Sequence, residues 1–196
     1  MFKSNLYILA LIMLMSCRSW DASMIAPDTN PISPRLLTLE RRIEDMPNTT
    51  VVVTYDDEVR LFTKEVETNL VDPYGDKYGY IAFKRSILDA RVGYGQYLLS
   101  SFLMTVPNLF GMPFMNIRYR VEVEIRILDR SNKLLGRYSA IGNSSVKVAY
   151  YYGYSMRNAF RKSYPDAIID AFEKIRPQIQ SDVSRLNERL YDAGKI

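Results

Sequence analysis

The chain has 196 residues, 26 basic and 22 acidic side chains, a formal net charge of +4, one cysteine and no histidine. The missing histidine removes the commonest general base and metal ligand, and a lone cysteine excludes an internal disulfide or a thiolate metal site. Basic and acidic residues are interspersed without a long basic block, so the charge is not the footprint of a nucleic-acid binder.

In chain order, the first element is a short apolar run. Met1-Phe2-Lys3 supplies one positive charge, and Leu6, Ile8, Leu9, Leu11, Ile12 and Leu14 follow. A basic start, an apolar core of about ten residues and a small residue before a cut describe a secretory signal peptide. A membrane anchor needs about 20 apolar residues, and polar residues begin at Ser16-Cys17-Arg18. The ending Leu14-Met15-Ser16-Cys17 resembles the lipobox of bacterial lipoproteins, although Met15 is less usual there than a small residue. The resemblance implies that residues 1–16 are removed and that Cys17 becomes the acylated first residue, attaching the protein to a membrane. It further implies the outer membrane, because Arg18 departs from the aspartate that signals retention at the inner one.

Residues 17–34 read as a flexible, lipid-anchored tether. Pro27, Pro31 and Pro34 lie among Asp28, Asn30 and Ser33, a composition that stays extended. Leu36 to Met46 reads as a short helix or a covering strap, with Leu36, Leu39 and Ile43 on one face. Thr49–Tyr55 is β-branched and aromatic and predicts a strand. Val59, Phe62, Val66 and Leu70 form one helical stripe, ended by Asp72-Pro73-Tyr74-Gly75.

Tyr80 to Val92 alternates as a strand, and Ile117 to Ile127 does so strictly. Its odd positions are apolar and its even ones are arginine or glutamate, which predicts one buried and one wet face. Asp129–Lys133 is a turn and Leu134–Ile141 the returning strand. Gly142-Asn143-Ser144-Ser145 reads as a second turn, toward Val146–Tyr152. A helical segment follows from Met156, with Ser163 as a helix N-cap, a core stripe of Ile168, Phe172, Ile175, Ile179, Val183, Leu186 and Leu190, and a kink or break near Arg176 at Pro177.

Between Arg91 and Arg118 no residue is charged. Gly93, Gly95, Pro107, Gly111 and Pro113 interrupt this segment, so it is no regular membrane span. Three readings fit it: a connection folded into the core; an amphipathic element in the lipid interface, with Tyr94 and Tyr97 as anchors and Phe102, Leu103, Phe110 and Phe114 dipping in; or an exposed patch for a protein partner. Tyr150, Tyr151, Tyr152 and Tyr154 offer rings that stack on sugars, although tyrosines packed on helices are the commoner arrangement.

No catalytic motif stands in the chain. Gly93-Tyr94-Gly95 is followed by Gln96-Tyr97-Leu98 and is no dinucleotide fingerprint. Asp56-Asp57-Glu58 reads as a solvated helix start. The expectation is an α+β domain over residues 35–192: a mainly antiparallel sheet of roughly four to six strands with helices on one face and a C-terminal helical segment. The function expected is that of a non-enzymatic envelope lipoprotein, an accessory or assembly subunit that binds protein or lipid at the membrane surface. It needs no cofactor or metal; its partners are the membrane, through lipidated Cys17, and an envelope protein, not nucleic acid. The alternatives are a carrier for glycan or lipid and, less favoured, a hydrolase using carboxylates.

Overall fold

The computed structural model describes residues 26–44, 55–103, 106–109, 112–149 and 153–196. Cys17 and the signal segment lie outside the described residues, as does the strand expected at Thr49–Tyr55 except for Tyr55 itself, which begins a helix.

The strict alternation after Asn116 becomes strand β3 (Met115–Asp129). Every odd position from Ile117 to Ile127 is buried, while Arg118 and Arg120 are exposed. β3 is the axis of a four-stranded sheet in the order β1-β2-β3-β4, with β1 (Leu39–Ile43), β2 (Gly79–Gly93) and β4 (Leu134–Val148). β2, β3 and β4 are mutually antiparallel, whereas β1 runs parallel to β2. A parallel pair needs a crossover, and helix α1 (Tyr55–Glu65), which ends in a π-helical turn over Val66–Leu70, lies between the two strands in sequence. The connection between β2 and β3 holds two short helices, α2 (Gly95–Phe102) and α3 (Val106–Leu109), and the chain closes with the 38-residue α4 (Met156–Ala193).

The core lies between one face of the sheet and helices α1 and α4. Phe62, Phe83 and Phe172 come from three different elements, with ring centroids 4.9 and 5.8 Å apart. The expected stripe of α4 from Ile168 to Leu190 is buried in this core. An α+β domain with a mainly antiparallel sheet is therefore present.

Five local expectations are corrected. Leu39–Ile43 is a strand rather than a helix, because β2 offers it a parallel partner from Leu39↔Gly79 to Ile43↔Phe83. Gly142-Asn143-Ser144-Ser145 is no turn; β4 runs straight through it. Gly142 is needed for close approach, since a Cβ there would stand 1.7 Å from the Ala167 carbonyl oxygen of α4. Ser163 is no N-cap: it is buried inside α4, and Ser155 caps the helix by accepting the Asn158 N–H. Pro165 and Pro177 lie within the helix; each removes one N–H from its ladder, yet burial along the stripe holds the helix unbroken.

The fifth correction concerns the tether. Residues 27–34 are not a free leash, because polar backbone groups there find fixed partners on the domain. Asn69 accepts the Asn30 N–H at 2.9 Å and donates to the Asp28 carbonyl at 3.0 Å. Ile32 is buried, and its N–H donates to the Asn69 carbonyl. Asn187 of α4 brackets the next turn of chain, accepting from Leu37 and donating to Arg35. The domain thus begins by about Pro27, which is itself buried.

Candidate functional site

Two clusters of buried charge mark the inner face of α1. Asp56 and Asp57 sit at the helix start as expected, but Glu58 does not stay in solvent: it is 5% exposed and paired with Arg85 of β2 at 3.0 Å. The Tyr164 hydroxyl donates to Glu58 at 2.7 Å. Burial first, and the Glu58 carboxylate second, push the Tyr164 phenol far above its ordinary value. Two turns along, the fully buried Glu65 accepts two bonds from Arg176, at 2.6 and 2.8 Å, and one from Asn69 at 2.7 Å. Both carboxylates are bound by arginines inside the packed core, so neither meets the other across an open cleft as a hydrolytic pair would. Their work is to dock α1 on the sheet and on α4.

The expected carrier cavity finds no support in the same surface. Depressions there, such as the 350 Å³ one beside Thr38, Glu40, Arg41, Glu67 and Lys77, are open and lined by charged side chains. Tyr154 is 7% exposed and belongs to the core, because it bridges to Val148 and folds inward; its ring is not presented to a sugar. Tyr150, Tyr151 and Tyr152 lie outside the described residues.

The uncharged connection is built differently from everything around it. Charge ends at Arg91, β2 ends at Gly93, and the chain turns directly into α2, where the Leu98 N–H donates to the Tyr94 carbonyl and that of Leu103 to Leu99. The described apolar residues of α2 have no buried stripe. Tyr94, Tyr97, Leu98, Leu99, Phe102 and Leu103 are all exposed, Phe102 at 84% and Leu98 at 68%. Val106 of α3 is exposed as well. The chain is recovered by the sheet at Asn108, a buried amide that donates to the Met112 carbonyl at 2.9 Å, and at Phe114, whose N–H donates to Val148 at 2.8 Å. Phe114 is half-buried, and Phe110 lies outside the described residues.

The reading of residues 94–103 as core is therefore corrected: no described element of the domain buries them. Burying each such side chain contributes about 1.5–3 kcal/mol, so six left in water forgo on the order of 10 kcal/mol. An apolar patch of this kind marks an interaction surface. Leu98, Leu99 and Val106 belong to it too, and the signal for them was the lack of any charged residue between Arg91 and Arg118. The remaining readings both require the exposure that is seen: a lipid interface or a protein partner.

No family model matches the chain, and no curated protein matches it either. Among solved structures it has a weak likeness to a Helicobacter pylori protein described as a neuraminyllactose-binding hemagglutinin homolog. The two are 10% identical over 84% of this chain and 94% of that one, with a TM-score of 0.36.

Proposed function

We propose that the protein is a non-enzymatic lipoprotein of the cell envelope, anchored through acylated Cys17, in the outer membrane by preference. It acts as an accessory or assembly subunit whose β2–β3 connection binds protein or lipid at the membrane surface. The observation that carries the reading is the exposed run from Tyr94 to Leu103, a surface that the domain itself does not use. The Leu14–Cys17 sequence supports the anchor. Among the described residues no helix is long and apolar enough to cross a membrane, so attachment through acyl chains is the route proposed. Two or more chains hold stably where one is marginal, since each buried methylene contributes about 0.8 kcal/mol.

Metabolic labelling with a radiolabelled fatty acid, combined with membrane fractionation, tests the anchor. The parent should carry label and sediment with membranes; Cys17→Ser, which has no thiol to acylate, should carry none. Equal label on the two proteins would sink the proposal.

A further inference from the structure

The open face of the sheet carries charge unevenly. In its middle, Glu124 joins Arg126 and Arg137 at 3.3 and 2.7 Å, and Arg126 also pairs with Glu44. Toward the end where β2 leaves for α2, acid is scarce. Arg91 and Arg118 are direct cross-strand partners, an arrangement of like charge that weakens a sheet. Lys147 lies opposite Asn116 on the neighbouring strand pair, exposed like the two arginines. Asp89 takes up Arg91 at 2.8 Å, but Arg118 and Arg120 form no ion pair with any described residue. Together with Asp89, Asn143 and Ser145 they line an open depression of 420 Å³. Arginines that outnumber the one carboxylate beside them suit an anion.

The exposed run from Tyr94 to Leu103 starts at this same end, one residue beyond Gly93, whose cross-strand partner is Asn116. Apolar side chains with tyrosines at their root, collared by exposed arginines in excess over acid, match a bilayer surface rather than a protein groove. The apolar part enters the acyl boundary, the tyrosines stop at headgroup level, and the arginines meet phosphate. α2 has eight residues and measures about 12 Å, long enough to lie in the interface and far too short to cross it.

We propose that this end of the domain docks on an anionic bilayer, with the Tyr94–Leu103 run inserted in the lipid interface and Arg91, Arg118, Arg120 and Lys147 on the headgroup phosphates. This deepens the lipoprotein reading and rests on it for proximity alone. The nine steps of chain from Cys17 to Ala26 reach at most about 30 Å. The segment Asp28–Ile32 meets α4 beside Arg176, 20 residues or about 30 Å from the first turn of that helix. An anchored Cys17 and a docked sheet end are therefore compatible.

The test uses the full acylated chain with Trp20→Phe, which removes the one tryptophan, and Phe102→Trp, which places a reporter on the run. The protein is reconstituted with vesicles of phosphatidylcholine, alone or mixed with phosphatidylglycerol. In the anionic vesicles the indole emission should shift to the blue and be quenched by brominated acyl chains. Arg118→Gln with Arg120→Gln should lower the ratio of inserted to free run on the order of tenfold, with a melting temperature no lower than the parent's; high salt should act in the same direction. An indole that stays unquenched while the chain floats with the vesicles overturns the docking and leaves the lipid anchor standing. Equal quenching in neutral and anionic vesicles overturns the role of the arginines and with it the proposal. If Cys17→Ser still floats with anionic vesicles alone and its indole is quenched, the docking stands without the anchor.

Discussion

Glu58 and Glu65 show what one side chain decides in this molecule. Both lie on the inner face of α1, and each meets an arginine from another element, Arg85 of β2 or Arg176 of α4. A buried pair offsets its own desolvation poorly, but removing one partner costs about 3–5 kcal/mol because a naked charge remains. Tyr164 completes the first pair, and its raised phenol has a consequence at high pH. The unfolded phenol ionises near pH 10 and the folded one well above it. The stabilisation is therefore whole below about pH 10 and is lost as pH rises further, by up to about 1.4 kcal/mol per unit. Denaturant unfolding at about pH 9 and about pH 11 should show a steep alkaline loss in the parent and a smaller one in Tyr164→Phe. Tyr138 is raised in the same direction, by burial and by its bond to Asp182, so part of the loss persists in the variant. Identical losses would assign the effect to other groups.

At the scale of elements, α4 does two things at once. Its apolar stripe fills the core, and its polar stripe closes an edge of the sheet. β4 is an edge strand, with backbone groups that would pair with another chain. Asp170 accepts the Asn143 N–H at 2.7 Å, Lys174 donates to the Ile141 carbonyl at 3.0 Å, and Gln178 donates to Ser139 at 3.3 Å. These residues recur every fourth position and match alternate residues of the strand. The fit depends on Gly142, where helix and strand are in backbone contact. Gly142→Ala should force α4 outward and destabilise by about 1–3 kcal/mol in chemical denaturation. A neutral result would mean that α4 shifts along β4 without loss.

The whole molecule divides into a domain that satisfies itself and a connection that does not. Val123 is fully buried on the core face of β3, and Phe102 stands in solvent at the other extreme. Val123→Asp should destabilise by several kcal/mol, because it buries an unpaired charge. Phe102→Asp, although it removes a larger apolar group, should change stability within about 0.5 kcal/mol. Thermal melts of both variants measure the contrast, and a large loss from Phe102→Asp would place the connection in the core after all.

Much of this was legible in the residues. The period-two pattern of β3, the alternation in β2 and the helical stripes of α1 and α4 are local signals, written in neighbouring side chains, and each became the element it predicts. The lone cysteine after Leu14-Met15-Ser16 carries the expectation of a lipid anchor in the same local way. What escaped is non-local. Leu39–Ile43 becomes a strand because β2 lies beside it, Gly142 is not a turn because α4 crosses there, and residues 27–34 are fastened by the amide of Asn69, distant in sequence. The candidate site divides along the same line. That residues 92–117 lack charge is plain from the sequence, but a run of apolar residues is equally suited to a core or to a surface. Only the tertiary structure decides, because exposure is a relation between a segment and the rest of the chain, and here the other described residues fill the core without Tyr94–Leu103.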